Sequence, residues 1–142
     1  MAQRFAADLP ALLGRRVDDP AVAEFLHVVD PAAKVTRDDD DPDRLEWVSM
    51  QAGLVVYADA DSARITTVFL YSQGHEGASQ YRGPLPHGLD FSMGQAEVQA
   101  SFPRPPDFTS DEHDTWDFDD YRLVAQYRRA GTISVVGVTG DF

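Results

Sequence analysis

The sequence predicts an α+β fold of two pseudo-repeats, each a helix packed on a three- to four-stranded antiparallel sheet, the two sheets continuous or side by side. Three observations carry this expectation. Leu9-Pro10 recurs as Leu85-Pro86 at a shift of 76, and Leu13, Val22 and Leu26 fall on Leu89, Val98 and Phe102 at the same shift. Trp47 and Leu54 fall on Trp116 and Leu123 at a shift of 69. Ile65, Val68 and Leu70 fall on Ile133, Val136 and Val138 at a shift of 68. All keep one order: Leu-Pro, helix, Trp-bearing strand, short strand, long β-branched strand. At 142 residues the chain reads as one domain, 1–142, with repeats at about 5–72 and 85–142 and a connection at 73–84.

The elements follow in order. Phe5 to Leu13 is apolar and reads as a short helical turn closed by Gly14, the residue a helix C-terminus favours. Asp18-Asp19-Pro20 opens a better helix: an Asp supplies the cap oxygen and Pro is tolerated at the first helical position. Val22, Phe25, Leu26 and Val29 follow at helical spacing, and Asp30-Pro31 ends the run. His27 sits near that helix's negative end, where the dipole suits it. Asp38 to Asp43 is a like-charge block around Pro42, read as a solvated loop, since it lacks the spacing and glycine of an EF-hand. Three strands are expected next, over 45–51, 54–58 and 64–72, the last with the strongest β composition. Gly53 and Asp59 to Ser62 supply the turns.

Glycines and prolines crowd 73–86 and mark the connection between units. Ser92 then reads as the cap of a second helix, with Gln95 three residues on and Met93, Val98 and Phe102 as its apolar face; Pro103, Pro105 and Pro106 stop it. The three-strand theme returns after it.

Charge excludes some partners. Twelve Lys+Arg against 24 Asp+Glu leave a net charge of −12. Such a field repels nucleic-acid backbones and anionic membranes and attracts basic proteins. Without cysteine there is no disulfide, thiolate metal site or lipid-bearing Cys. Asp8 and Pro10 interrupt any signal-peptide core, and no run approaches the ~18 apolar residues of a membrane span, so a cytoplasmic protein is expected.

The stretch Gly88-Leu89-Asp90-Phe91-Ser92-Met93-Gly94-Gln95-Ala96-Glu97-Val98 resembles the "Gly-Leu-x-x-Ser/Thr-x-x-Glu-Val" helix start of the tandem-repeat beta-lactamase inhibitor proteins. Each half is similar to the single-copy domain of the outer-membrane assembly lipoprotein BamE. Ile65 to Leu70, Tyr81, Gly83-Pro84-Leu85-Pro86 and Gly88-Leu89 are similar to small bacterial toxin-immunity proteins. The helix ends Phe102-Pro103 where that family has Gly-x-Pro, and the chain has neither lipobox cysteine nor disulfide. The resemblance implies a binding scaffold, an acidic immunity protein that occludes the active surface of a bacterial toxin.

The residues themselves suggest where a partner would bind. Asp107, Asp111, Glu112, Asp114 and Asp117 surround Phe108 and Trp116 with no Lys or Arg between Arg104 and Arg122. Aromatic anchors in a negative field suit a basic partner, although Trp116 at a strand position equivalent to Trp47 also reads as core. The connection adds His75, Glu76, Tyr81 and His87. These histidines lack any metal-ligand spacing, and Ser79 and Ser92 have no recognisable base, so no cofactor, metal or catalytic residue is expected. The other function in view is a domain that binds a small ligand on its sheet.

Overall fold

The computed structural model describes residues 2–129 and 131–140, with side chains from Phe5 onward; Met1, Asp141 and Phe142, included in the expected domain, lie outside the described residues, as does Ala130. Helix α1 spans Ala2–Ala7 and runs into a 3-10 turn at Leu9–Leu12. Gly14, at φ +80°, then reverses the chain. Helix α2 spans Pro20–Val29. The side chain of Asp19 caps it by accepting from the Ala21 N–H at 2.9 Å, and Pro20 opens the first turn. Val22, Phe25 and Leu26 form its buried stripe.

The strands are β1 (Val35–Arg37), β2 (Arg44–Ser49), β3 (Leu54–Asp59), β4 (Ile65–Tyr71), β5 (Phe108–Thr109), β6 (His113–Asp117), β7 (Arg122–Tyr127) and β8 (Ile133–Thr139). They form one eight-stranded antiparallel sheet in the order β1-β2-β3-β4-β8-β7-β6-β5. The seam is the pairing of β4 with β8, from Thr67 opposite Thr139 to Tyr71 opposite Val135.

This seam corrects the expected architecture. The chain is a single α+β domain on one continuous sheet, not a pair of helix-plus-sheet pseudo-repeats. The tandem architecture that carried the resemblance to beta-lactamase inhibitor proteins and BamE falls with it. The physical reason lies in the two strongest strands. Left at the edges of separate small sheets, β4 and β8 would each expose a row of unpaired N–H and C=O groups; pairing removes both edges. The positions matched at shifts of 68 and 69 are buried strand residues facing one common core, and an alternating pattern recurs wherever a strand faces it. The helices are also unequal. Helix α3, Gln95–Ala100, has six residues and a single buried one, Val98, against the longer α2 with α1 beside it.

That core joins Phe5 of α1, the buried stripe of α2 and Val98 of α3 to Trp47, Leu70, Trp116, Leu123 and Val138 of the sheet. Buried residues from all three helices belong to this one cluster. The opposite sheet face carries a smaller cluster, Val55, Tyr71, Ala78 and Val135, with Tyr57 and Phe69 packed against it. Gly53, at φ +70°, lets residues 79–81 cross here: a Cβ would stand 2.2 Å from the Ser79 carbonyl oxygen.

Two local expectations change as well. The cap of α3 is Gly94, not Ser92; Glu97 accepts from the Gly94 N–H at 3.3 Å, while Ser92 bonds back to Asp90. The acidic block is not simply a solvated loop. Asp38 is buried and holds Arg44 through Nε at 2.8 Å, which keeps its carboxyl below the usual range.

Candidate functional site

A cleft of about 1130 Å³ opens where four segments meet. They are the turn after β4 with His75, the start of α3, the β5–β6 turn with Asp111 to His113, and the end of the β7–β8 hairpin with Arg128, Arg129 and Thr132. Backbone bonds fix these walls against one another. The Tyr127 N–H donates to the Glu112 carbonyl at 2.8 Å, the Ile133 N–H to Met93 at 3.1 Å and the Ser72 N–H to Ser134 at 2.9 Å. A register shift between Gln126 and Tyr127 leaves Ser134 as the extra residue of β8 at the cleft wall.

Beneath the cleft lies Asp114, with no solvent exposure. Its carboxylate accepts from Thr109 Oγ1 at 2.5 Å, Gln95 Nε2 at 3.2 Å, Gln99 Nε2 at 3.1 Å and the Tyr127 hydroxyl at 2.8 Å. Among the described residues no cation joins it, and every donor is neutral. Such a carboxylate is tolerable in the interior because its lone pairs are all used. The phenol of Tyr127 is pushed far above its ordinary range by burial and then by this bond to Asp114, so it remains a donor. Gln95 also donates to the Ser110 carbonyl at 2.8 Å. Short as it is, α3 is tied to β5, β6 and β7 by one acid, and that places the Gln95 end of the cleft.

The cleft's own side chains are less committed. The His113 ring lies on Phe108, with centroids 5.0 Å apart, and its Nδ1 is 3.2 Å from Ser110 Oγ. Ser110 Oγ accepts from the N–H groups of Glu112 and His113 at 3.2 Å each, so it braces the turn and is not presented as a nucleophile. His75 tilts against Tyr71 at 4.9 Å. Burial, with Glu76 adding to it, raises the Tyr71 phenol to about 12. Arg128 donates to Ser72 Oγ and to the Gln73 carbonyl. Arg129, Asp111 and Glu112 are exposed, and no ion pair among the described residues includes them.

The ten expected contact residues therefore scatter. His75, Asp111 and Glu112 share the cleft. Phe108 stands beside it, 52% exposed. Asp107 and Asp117 lie at the outer end of the β5–β6 ribbon. There the Asp117 N–H and then Arg104 hold the Asp107 carboxyl below its usual range, and Arg122 pairs with Asp117 at 2.6 Å. Glu76 is exposed, at φ +50°. Asp114 and Tyr81 are buried and out of a partner's reach. His87, also at positive φ, stacks flat on Phe118 at 4.8 Å and meets the Tyr121 hydroxyl through Nε2 at 2.6 Å. Phe102 and Trp116 extend this stack inward, their rings 3.9 Å apart. His87 is thus a clasp between the 84–91 segment and the β6–β7 turn.

Sequence reasoning missed Arg128, Arg129, Thr132, Gln95 and Gln99. The available signal was an Arg pair just before a glycine between two strand patterns, which reads as a hairpin tip carrying two cations. Compared with known proteins, the chain matches no family model, no curated protein and no solved structure. Its reading rests on geometry.

Two measurements check these roles. Replacing Asp114 with Ala strands four donors without their acceptor and is expected to cost about 2–4 kcal/mol in urea unfolding, with faster amide exchange in α3. A loss below ~1 kcal/mol would mean the acid does not hold α3. The stacked rings desolvate His87 and lower its pKa against the opposing pull of Asp8. The unfolded chain then binds the proton more readily. His87's contribution is complete above about pH 6.5 and is lost as pH falls through that value toward the lower folded pKa. The stability difference between the wild type and His87→Phe should shrink between pH 7.5 and 5; a constant difference would sink the clasp as a titrating element.

Proposed function

We propose that the protein is a ligand-binding domain, and that the cleft between α3, the β5–β6 turn and the β7–β8 hairpin is its site. One observation carries this reading. Uncommitted polar side chains of both signs converge on a cleft of about 1130 Å³ while the wall behind them is locked by the Asp114 network. A concave site with few placed polar groups over a rigid scaffold is the usual form of a small-molecule site. The reading is one of binding, with no reaction assigned. The expected outcome of a small-molecule screen followed by thermal shift is a set of compounds that stabilise the wild type and lose at least ~10-fold in affinity in Arg129→Ala and His113→Ala, a loss of about 1.4 kcal/mol. Compounds that bind both variants as tightly as the wild type would move the site elsewhere.

A second reading, capture of a basic protein such as a toxin domain, is favoured by Phe108. Phe108 is 52% exposed on the strand that leads into the turn of Asp111 and Glu112, an apolar anchor close in the chain to acids. For a toxin encoded beside this chain's gene, the expected behaviour is salt-sensitive binding weakened at least ~10-fold by joint Asp111→Lys and Glu112→Lys replacement. Unchanged affinity would remove this turn from the interface. Asp114 is left intact in that test because its replacement perturbs the fold.

A further inference from the structure

Charges of both signs stand at the cleft without an ion-pair partner among the described residues. Arg15, Arg16, Arg44, Arg104 and Arg122 all sit in ion pairs. Arg128 and Arg129 do not, nor do Lys34, Arg37, Arg64 and Arg82, among the described residues; the two are distinguished by standing at a cleft that also holds unpaired acids, with Arg128 anchored to Ser72 and the Gln73 carbonyl. Asp111 and Glu112 across the cleft are equally unpaired, and they are not remote: Glu112 is bonded through its backbone to Tyr127, next to Arg128. Two walls of opposite sign are therefore held side by side without closing on each other.

This arrangement selects against ligands of one sign. A net anion meets Glu97, Asp111 and Glu112 as well as the field of a chain of charge −12. A polycation meets the two arginines. A molecule with a carboxylate at one end and an ammonium at the other satisfies both walls, and charged hydrogen bonds are the strongest such contacts. The cleft, at about 1130 Å³, exceeds the roughly 300–1,000 Å³ of common small-molecule sites, which leaves room for more than one amino acid. We propose that the cleft binds a short peptide with free termini, its carboxylate at Arg128 and Arg129 and its ammonium at Asp111 and Glu112. This rests on the cleft reading above and adds the class of ligand.

The test uses calorimetry on the full chain with Ala-Ala-Ala and a mixed tripeptide pool, each also as the N-acetyl form, the C-terminal amide and the doubly blocked form. Free tripeptides are expected to bind, and either block to weaken binding at least tenfold. Arg129→Gln, which leaves Arg128 in place, should reduce the penalty for amidation and keep that for acetylation, and Asp111→Asn with Glu112→Gln should abolish the penalty for acetylation alone. That cross-over is one that a general loss of structure would not produce. Blocked peptides binding as tightly as free ones, or no binding by any tripeptide, would overturn the proposal. The fate of the cleft reading is separate. If uncharged compounds from the screen bind the wild type and are excluded by Thr132→Trp, the cleft stands and only the peptide is wrong. If nothing binds either way, both fall.

Discussion

The pairing of β4 with β8 is the constraint on which the rest of the structure depends. It joins the two strands richest in β-branched residues and so closes what would be two open edges. Once they pair, Trp47 and Trp116 face one core from either side of the seam, and every helix must serve that core. The true edges move out to β1 and β5, of three and two residues, short enough to offer little template for further pairing. The opposite face is left to a small cluster of rings that pack on one another: Phe69 lies 5.9 Å from Tyr57 and 6.5 Å from Tyr71.

A second constraint is local and polar. At the β5 side of the sheet, α3 contributes only Val98 to the core, too little apolar area for a six-residue helix to hold its place. Asp114 supplies the difference by gathering Gln95 and Gln99 from α3, Thr109 from β5 and Tyr127 from β7. A buried carboxylate is costly unless fully bonded, and that same cost makes the arrangement selective: any shift of α3 strands a charge. The cleft follows from this. Its walls are turns and strand ends, but their positions are inherited from a network that has no freedom to relax.

Strand existence was legible because its signal is local. Leu45 to Gln51, Leu54 to Ala58 and Arg64 to Ser72 each declare themselves by composition and alternation, and β2, β3 and β4 lie there within a residue or two at most ends. The cap at Asp19 was legible for the same reason. The acids of 107–120 were harder. Sequence treats them alike, yet Asp117 pairs with Arg122, Asp107 binds the Asp117 N–H, Asp111 is free and Asp114 is sealed in the interior. Nothing in a run of similar residues says which will be buried, because burial depends on which element arrives above it. His87 is similar: a loop histidine in sequence, it becomes a clasp only because Phe118 and Tyr121 fold back over it.

What the amino-acid order determined alone is the α+β class, the apolar positions that form the core and the strongly negative field, since these follow from period, composition and charge. Tertiary structure decided that there is one sheet and not two, because a strand's outer edge can pair with any compatible strand and period alone names no partner. It decided too that Arg128 and Arg129 line one cleft with Asp111 and Glu112. Those pairs are more than fifteen residues apart, and only the β6–β7–β8 register brings them together.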